Sequence, residues 1–162
     1  MDALRQTFKV DGFRNVVTLK ASGNVVFDSD NTPNSKSIQD SLKKSLNVQA
    51  DVFLRKFEEI LAIVNEDPFK QIKEPDVKFY VTFMAEAPAR KLEIPLTSSG
   101  RDVEIFSQLG LHAFSISRRV QGRSGFPNLL LEEKSGVTCT TRDWNTVQAI
   151  SLLKPTEVAR KK

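Results

Sequence analysis

The sequence predicts an α+β fold of two halves with mainly antiparallel sheets, and three observations carry that expectation. Helical and alternating apolar periods are interleaved along the chain, which keeps it out of the all-α and all-β classes. The turn-forming run Ala21-Ser22-Gly23-Asn24 lies between two short β-rich segments, the pattern of a hairpin and so of antiparallel pairing. The segment from Val77 to Ala85 is apolar on both sides, as a central strand requires.

The elements follow in order. Met1, Leu4 and Phe8 share a helical face, and Gly12 stands where a left-handed residue would end the helix. Strands are expected over 16–20 and 25–28, flanking the turn. Thr32-Pro33 offers a cap and a first-turn proline, and Ile38, Leu42 and Leu46 then fall four apart with Lys43 and Lys44 near the end of a second helix. Alternation of Ala50, Val52 and Leu54 predicts a strand, after which Phe57, Ile60, Leu61 and Val64 switch to the helical period and stop before Asp67-Pro68. Strands are expected at 77–85, 92–96, 103–108 and 111–117, and helices at 128–134 and 141–153. Thr140 followed by Asp143 reads as the capping box of the last helix, whose stripe is Trp144, Val147, Ile150 and Leu153.

The halves divide near residue 56, giving 1–56 and 57–162. The first reads helix, strand, strand, helix, strand, a split βαβ unit without its opening strand. In the usual order of such a sheet that strand is interior, so its absence leaves two rows of ladder groups to be satisfied. A rearranged sheet, a chain that starts late, or a strand from another copy would each solve this, and self-association through the unpaired edges is one expectation.

Composition bounds the function. With 162 residues, 40% hydrophobic and 27% charged, the chain is long and apolar enough to build a core. Its longest apolar runs, such as Leu129 to Leu131, are far below a membrane span, and the start lacks the apolar block of a secretory signal. With a single cysteine, Cys139, a cytoplasmic setting is expected. The net charge of +4 is uneven: residues 118–162 hold 9 Lys/Arg against 4 Asp/Glu, while residues 1–117 hold 15 against 16. That excess suits an anionic partner, nucleic acid among them.

Three motifs then converge: Ser22-Gly23-Asn24-Val25-Val26-Phe27, Asp67-Pro68-Phe69, and Thr140-Thr141-Arg142-Asp143-Trp144-Asn145-Thr146-Val147. Together they resemble the bacterial domain-of-unknown-function 1697 family. The resemblance implies two ferredoxin-like α/β halves, with Ser22, Gly23, Asn24, Trp144 and Asn145 as motif positions of structural weight. The chain departs from the family pattern in lacking the usual opening strand and glycine-rich loop. It also has Asp67 and Asp143 where asparagine is usual, and Gly125 where lysine is usual. The resemblance implies a fold and no activity.

Chemistry-bearing residues are few. One histidine, His112, shares a strand face with Phe114 and Ile116, which suits packing better than general-base work. One cysteine and one histidine cannot assemble a zinc site, and no cofactor or metal is implied. Glu58-Glu59 and Glu132-Glu133 are adjacent on helices and point about 100° apart, so neither forms a facing acid/base pair. Phe57, Phe79 and Phe83 fall on core faces, which leaves no base-stacking platform in view.

The segment from Arg118 to Gly125 is the candidate site. It is expected to be a loop joining a strand to a helix, carrying Arg118, Arg119, Arg123 and Ser124 beside two glycines. Helix N-terminal amides with Arg123 could hold an anion, and Arg142, at the start of the next helix, could add donors. The leading expectation is a non-enzymatic binding module with a basic C-terminal region. The alternative is a small enzyme with a cleft near Arg123 and Arg142, with Ser124 and Asn145 lining it.

Overall fold

The structure is a computed structural model that describes residues 1–19 and 23–153. Ser22 and the basic residues Lys154, Arg160, Lys161 and Lys162 lie outside the described residues. The chain is α+β with mainly antiparallel sheets and forms two compact units. The first comprises residues 1–62 together with the segment after Val147, and the second runs from Ile63 to Val147.

In the first unit, α1 (Asp2–Val10) is followed by β1 (Arg14–Leu19), β2 (Asn24–Asp28) and α2 (Ser35–Leu46). Gly12 at φ 94° turns the chain out of α1, as its position predicts. β1 and β2 form an antiparallel pair with Val17 opposite Val26 and Leu19 opposite Asn24. Gly23, at φ 71°, ends the turn between them. The cap of α2 is Asn34 and not Thr32: its Oδ1 accepts from Ser37 N at 3.0 Å, which places Pro33 ahead of the helix. The core gathers Phe8, Val16, Ile38 and Leu42, and Phe8, Phe13 and Phe27 meet ring to ring at 4.4–5.6 Å.

The strand expected over residues 50–55 does not form. Val52 and Leu54 still pack against the Phe8–Leu42 core, but Ala50 is exposed and Phe53 and Arg55 are half-buried as well, so burial here does not alternate. A ladder needs a neighbour, and the element that would lie between β2 and this segment in a complete split βαβ sheet is not among the described ones. The unit's sheet therefore stays two-stranded. The chain passes to the second unit within α3 (Phe57–Glu66), whose first turn is closed by Glu59 Oε2 accepting from Lys56 N at 2.7 Å.

The second unit holds β3 (Val77–Met84), β4 (Leu96–Thr97), β5 (Val103–Leu109), β6 (His112–Val120), β7 (Arg123–Ser124), α4 (Asn128–Ser135), β8 (Cys139–Asp143) and the start of α5 (Trp144–Ser151). All pairings are antiparallel in the order β4-β5-β6-β3-β8, with β7 on the end of β6. The order β5-β6-β3-β8 is that of a split βαβ sheet, and β3 is central, as its two-sided apolar content requires. The crossover from β3 to β5 carries an extended segment instead of a helix. Leu92, Ile94 and Leu96 pack from it onto the core, but only Leu96 and Thr97 join the ladder, because Pro95 has no N–H to donate.

One further expectation is corrected. Residues 139–143 are an edge strand, not the start of the last helix, and α5 begins at Trp144. Thr140 does not cap it. Asp143 does, its Oδ1 accepting from Thr146 N at 2.8 Å. The two threonines pair with β3, a better use of β-branched side chains than a helix offers.

The sheet has two faces. One carries Met84, Ile105, Ala113 and Cys139 under Leu131 of α4 and Leu92 of the crossover. The other carries an aromatic cluster centred on Phe69, which stacks on Phe79 at 4.7 Å and meets Phe106, Phe114 and Trp144 edge-on.

Candidate functional site

The segment expected to be a loop at 118–125 is a β-hairpin. β6 runs on to Val120, the turn is Gln121-Gly122 at φ 50° and 76°, and Arg123 and Ser124 pair back to Val120 and Arg119. Positive φ at both turn residues is the geometry that matches strand twist, and glycine at the second position is why this sequence turns there.

The hairpin sorts the arginines. Cross-strand partners share a face, so Arg119 and Ser124 lie on the face of Ser117 and Tyr80, while Arg118, Val120 and Arg123 lie on the other. Arg118 is already neutralised. Its Nε donates to Glu74 at 2.6 Å and its Nη2 to Glu104 at 3.1 Å, and the Glu74 hydrogen bond raises its pKa further. Arg119 and Arg123 are exposed, and among the described residues no carboxylate pairs with either. Ser124 is exposed beside them.

Arg142 lies on β8 and not at a helix start. Its Nη1 donates to Thr140 Oγ1 at 2.9 Å and to the carbonyl of Thr141 at 3.0 Å. Burial lowers its pKa, with the Asp143 charge opposing. Arg142 sits opposite Val81, which is level with Phe114 on β6. The hairpin end at Val120 is six positions further along β6, about 20 Å away along the strand direction. The structure does not bring Arg123 and Arg142 into one cleft.

The motif residues divide similarly. Gly23 and Asn24 shape the β1–β2 hairpin, Trp144 is buried against Phe69 at 5.0 Å, and Asn145 is exposed on α5. His112 is buried with its ring edge-on to Phe83 at 5.4 Å. Cys139 is buried, and desolvation pushes its thiol up to about 11.

One feature of the site carries no periodic signal in the sequence. After the hairpin, the chain crosses the Tyr80 face of the sheet: Ser117 Oγ donates to the carbonyl of Gly125 at 2.6 Å, and Pro127 is fully buried. Between them Phe126 is left 55% exposed and meets the Tyr80 ring edge-on at 5.4 Å. Burial, then the Asp143 charge, raise the Tyr80 pKa. A lone phenylalanine between glycine and proline belongs to no stripe, which is why sequence reasoning passed it over.

An α+β protein whose second unit has the split βαβ strand order, with two arginines on a hairpin that no carboxylate pairs among the described residues, is a class of architecture and not yet a function. The family model described as "Protein of unknown function (DUF1697)" matches residues 1–110, and the chain belongs to that family. No curated protein and no solved structure matches it. No helix among the described residues is long and apolar enough to cross a membrane.

Proposed function

We propose that the chain is a non-enzymatic binding module that takes an anionic partner on the β6–β7 hairpin of its second unit. The observation that carries this is the contrast among the arginines. Arg118 spends its charge on Glu74 and Glu104, whereas Arg119 and Arg123 stand exposed on a turn of fixed geometry with no carboxylate beside them among the described residues. Charge left uncompensated at the surface is available to a partner and attracts it at a distance. The positive excess after residue 117 agrees with this, as does a cytoplasmic setting for a chain with a single, buried cysteine. The alternative enzyme with Arg123 and Arg142 in one cleft has weaker support, given their separation along the sheet.

The test is salt dependence. Binding of a labelled polyanion, a single-stranded oligonucleotide or heparin, is expected to weaken steeply with salt as counterions are released. Arg119→Ala and Arg123→Ala should each reduce the slope of log affinity against log salt by about one where the arginine neutralises a phosphate. Binding that ignores salt, or no binding at low salt, overturns the proposal.

A further inference from the structure

Resting on that reading, we infer that the anionic partner is a single-stranded nucleic acid whose bases stack on Phe126 and Tyr80. The hairpin alone would suit any polyanion; the surface beside it is more selective. Phe126 is 55% exposed and held against Tyr80 with the rings at 83°. It is fixed there on both sides. Gly125 is bonded through its carbonyl to Ser117 and packed on Asp102 and Val103, and Pro127 is buried. An exposed aromatic held rigidly loses little entropy on binding, which is the requirement for a stacking platform.

Cations flank these rings on the same face. Lys78 precedes Tyr80 by two positions and is exposed, about 7 Å along the strand. Lys78 pairs with Ser117, so Arg119, two further along β6, is its diagonal neighbour, also about 7–8 Å away. Leu129, three residues after Phe126 in the first turn of α4, is also 77% exposed. Two acids border the strip: Asp143, opposite Tyr80 on β8, caps α5 at Thr146 N, and Asp102, beside Gly125, accepts from Ser98 Oγ at 2.7 Å. The strip thus reads apolar and aromatic at one end, positive at the other.

That pairing selects the ligand. A bare phosphate chain gains nothing from Phe126, and an apolar peptide gains nothing from Lys78 and Arg119. An unpaired nucleic acid strand uses both, because every base offers a flat face and every linkage a negative charge. A duplex keeps its bases stacked on one another and cannot present them to an aromatic ring. Little sequence preference is expected, since neither stacking nor phosphate contact reads base edges.

The experiment uses the full chain and a fluorescently labelled twelve-nucleotide oligo-dT at low salt, with inorganic polyphosphate as a base-free competitor. Phe126→Ala is expected to weaken oligo-dT binding about tenfold or more, Phe126→Trp to restore it, and polyphosphate binding to be unmoved by either. Because Phe126 is exposed, both variants should keep the parent melting temperature, which is measured alongside. If Phe126→Ala binds oligo-dT as the parent does while Arg119→Ala binds weakly, the base-stacking inference is wrong and the anion-binding reading survives. If the parent binds neither oligo-dT nor polyphosphate at low salt, both fail.

Discussion

Thr82 Oγ1 and Thr141 Oγ1 lie 2.8 Å apart, buried, directly opposite one another on β3 and β8. Thr141 donates its only hydroxyl hydrogen to Asn128 Oδ1 at 2.9 Å, so Thr82 must be the donor between the two threonines. The chain of bonds continues from Asn128 Nδ2 to Glu132 Oε1 at 3.1 Å, and Cys139 N donates to the same oxygen at 3.0 Å. The edge strand is thereby tied to α4 through side chains as well as through the ladder.

The direction of these bonds makes the two threonines unequal. Thr141→Val leaves Thr82 without an acceptor and Asn128 Oδ1 without a donor, and is expected to cost about 1–3 kcal/mol. Thr82→Val removes only a donor to a hydroxyl that keeps its other bond, and should cost less. Urea denaturation of the two variants checks the order; equal losses would mean the bonds run the other way.

Phe69 touches four other aromatic rings, including Trp144 at 5.0 Å, and is buried. Phe69→Ala should therefore cost about 3–5 kcal/mol, the range for emptying a large aromatic from a core. Trp144 is the chain's only tryptophan, so its fluorescence reports the site directly. Emission should shift to the red in Phe69→Ala, and much less in Phe69→Leu.

How far these features were legible in the sequence depends on how local their causes are. The β1–β2 hairpin, the central strand β3 and the buried face of α2 follow from short-range periods and turn chemistry, and the structure has them. At residues 50–55 Val52 and Leu54 do pack on a core, yet strand pairing needs a neighbour that periodicity cannot supply. At 140–143 the cap signal was genuine but belonged to Asp143, and pairing with β3 claimed the threonines. The candidate site shows the same limit. Its arginines were visible, but Glu74, which neutralises Arg118, is 44 residues away in sequence.

Gly125 and Gly122 separate close approach from backbone freedom. A Cβ at Gly125 would fall 2.6 Å from Asp102 Cγ and 2.7 Å from Val103 Cγ2, both too close for a carbon contact. Gly125→Ala forces either the Asp102 and Val103 side chains or the Phe126 segment to shift and is expected to cost about 1–3 kcal/mol, as overpacking does. It should also weaken oligo-dT binding. Gly122 has open space around it, so Gly122→Ala meets only the penalty of its φ of 76°, about 1 kcal/mol. Thermal unfolding of both, with Gly125→Ala the lower, is the check.

Cys139 gives the molecule a pH dependence on the alkaline side. Burial, the largest cause, and the Glu132 charge raise its pKa to about 11, against a smaller opposing hydrogen bond from Ser135. The unfolded chain ionises its thiol near pH 8.5–9, so above that pH the unfolded state holds fewer protons than the folded one. Stability from this group is then fully present below about pH 8.5 and declines as pH climbs towards 11. Cys139→Ala should flatten that part of the profile, measured as the urea midpoint from pH 7 to 10.5. The same burial predicts that a thiol reagent at pH 8 labels the folded protein slowly and the urea-unfolded protein fast. Rapid labelling without denaturant would show that β8 opens far more readily than its bonds to Asn128 and Glu132 allow.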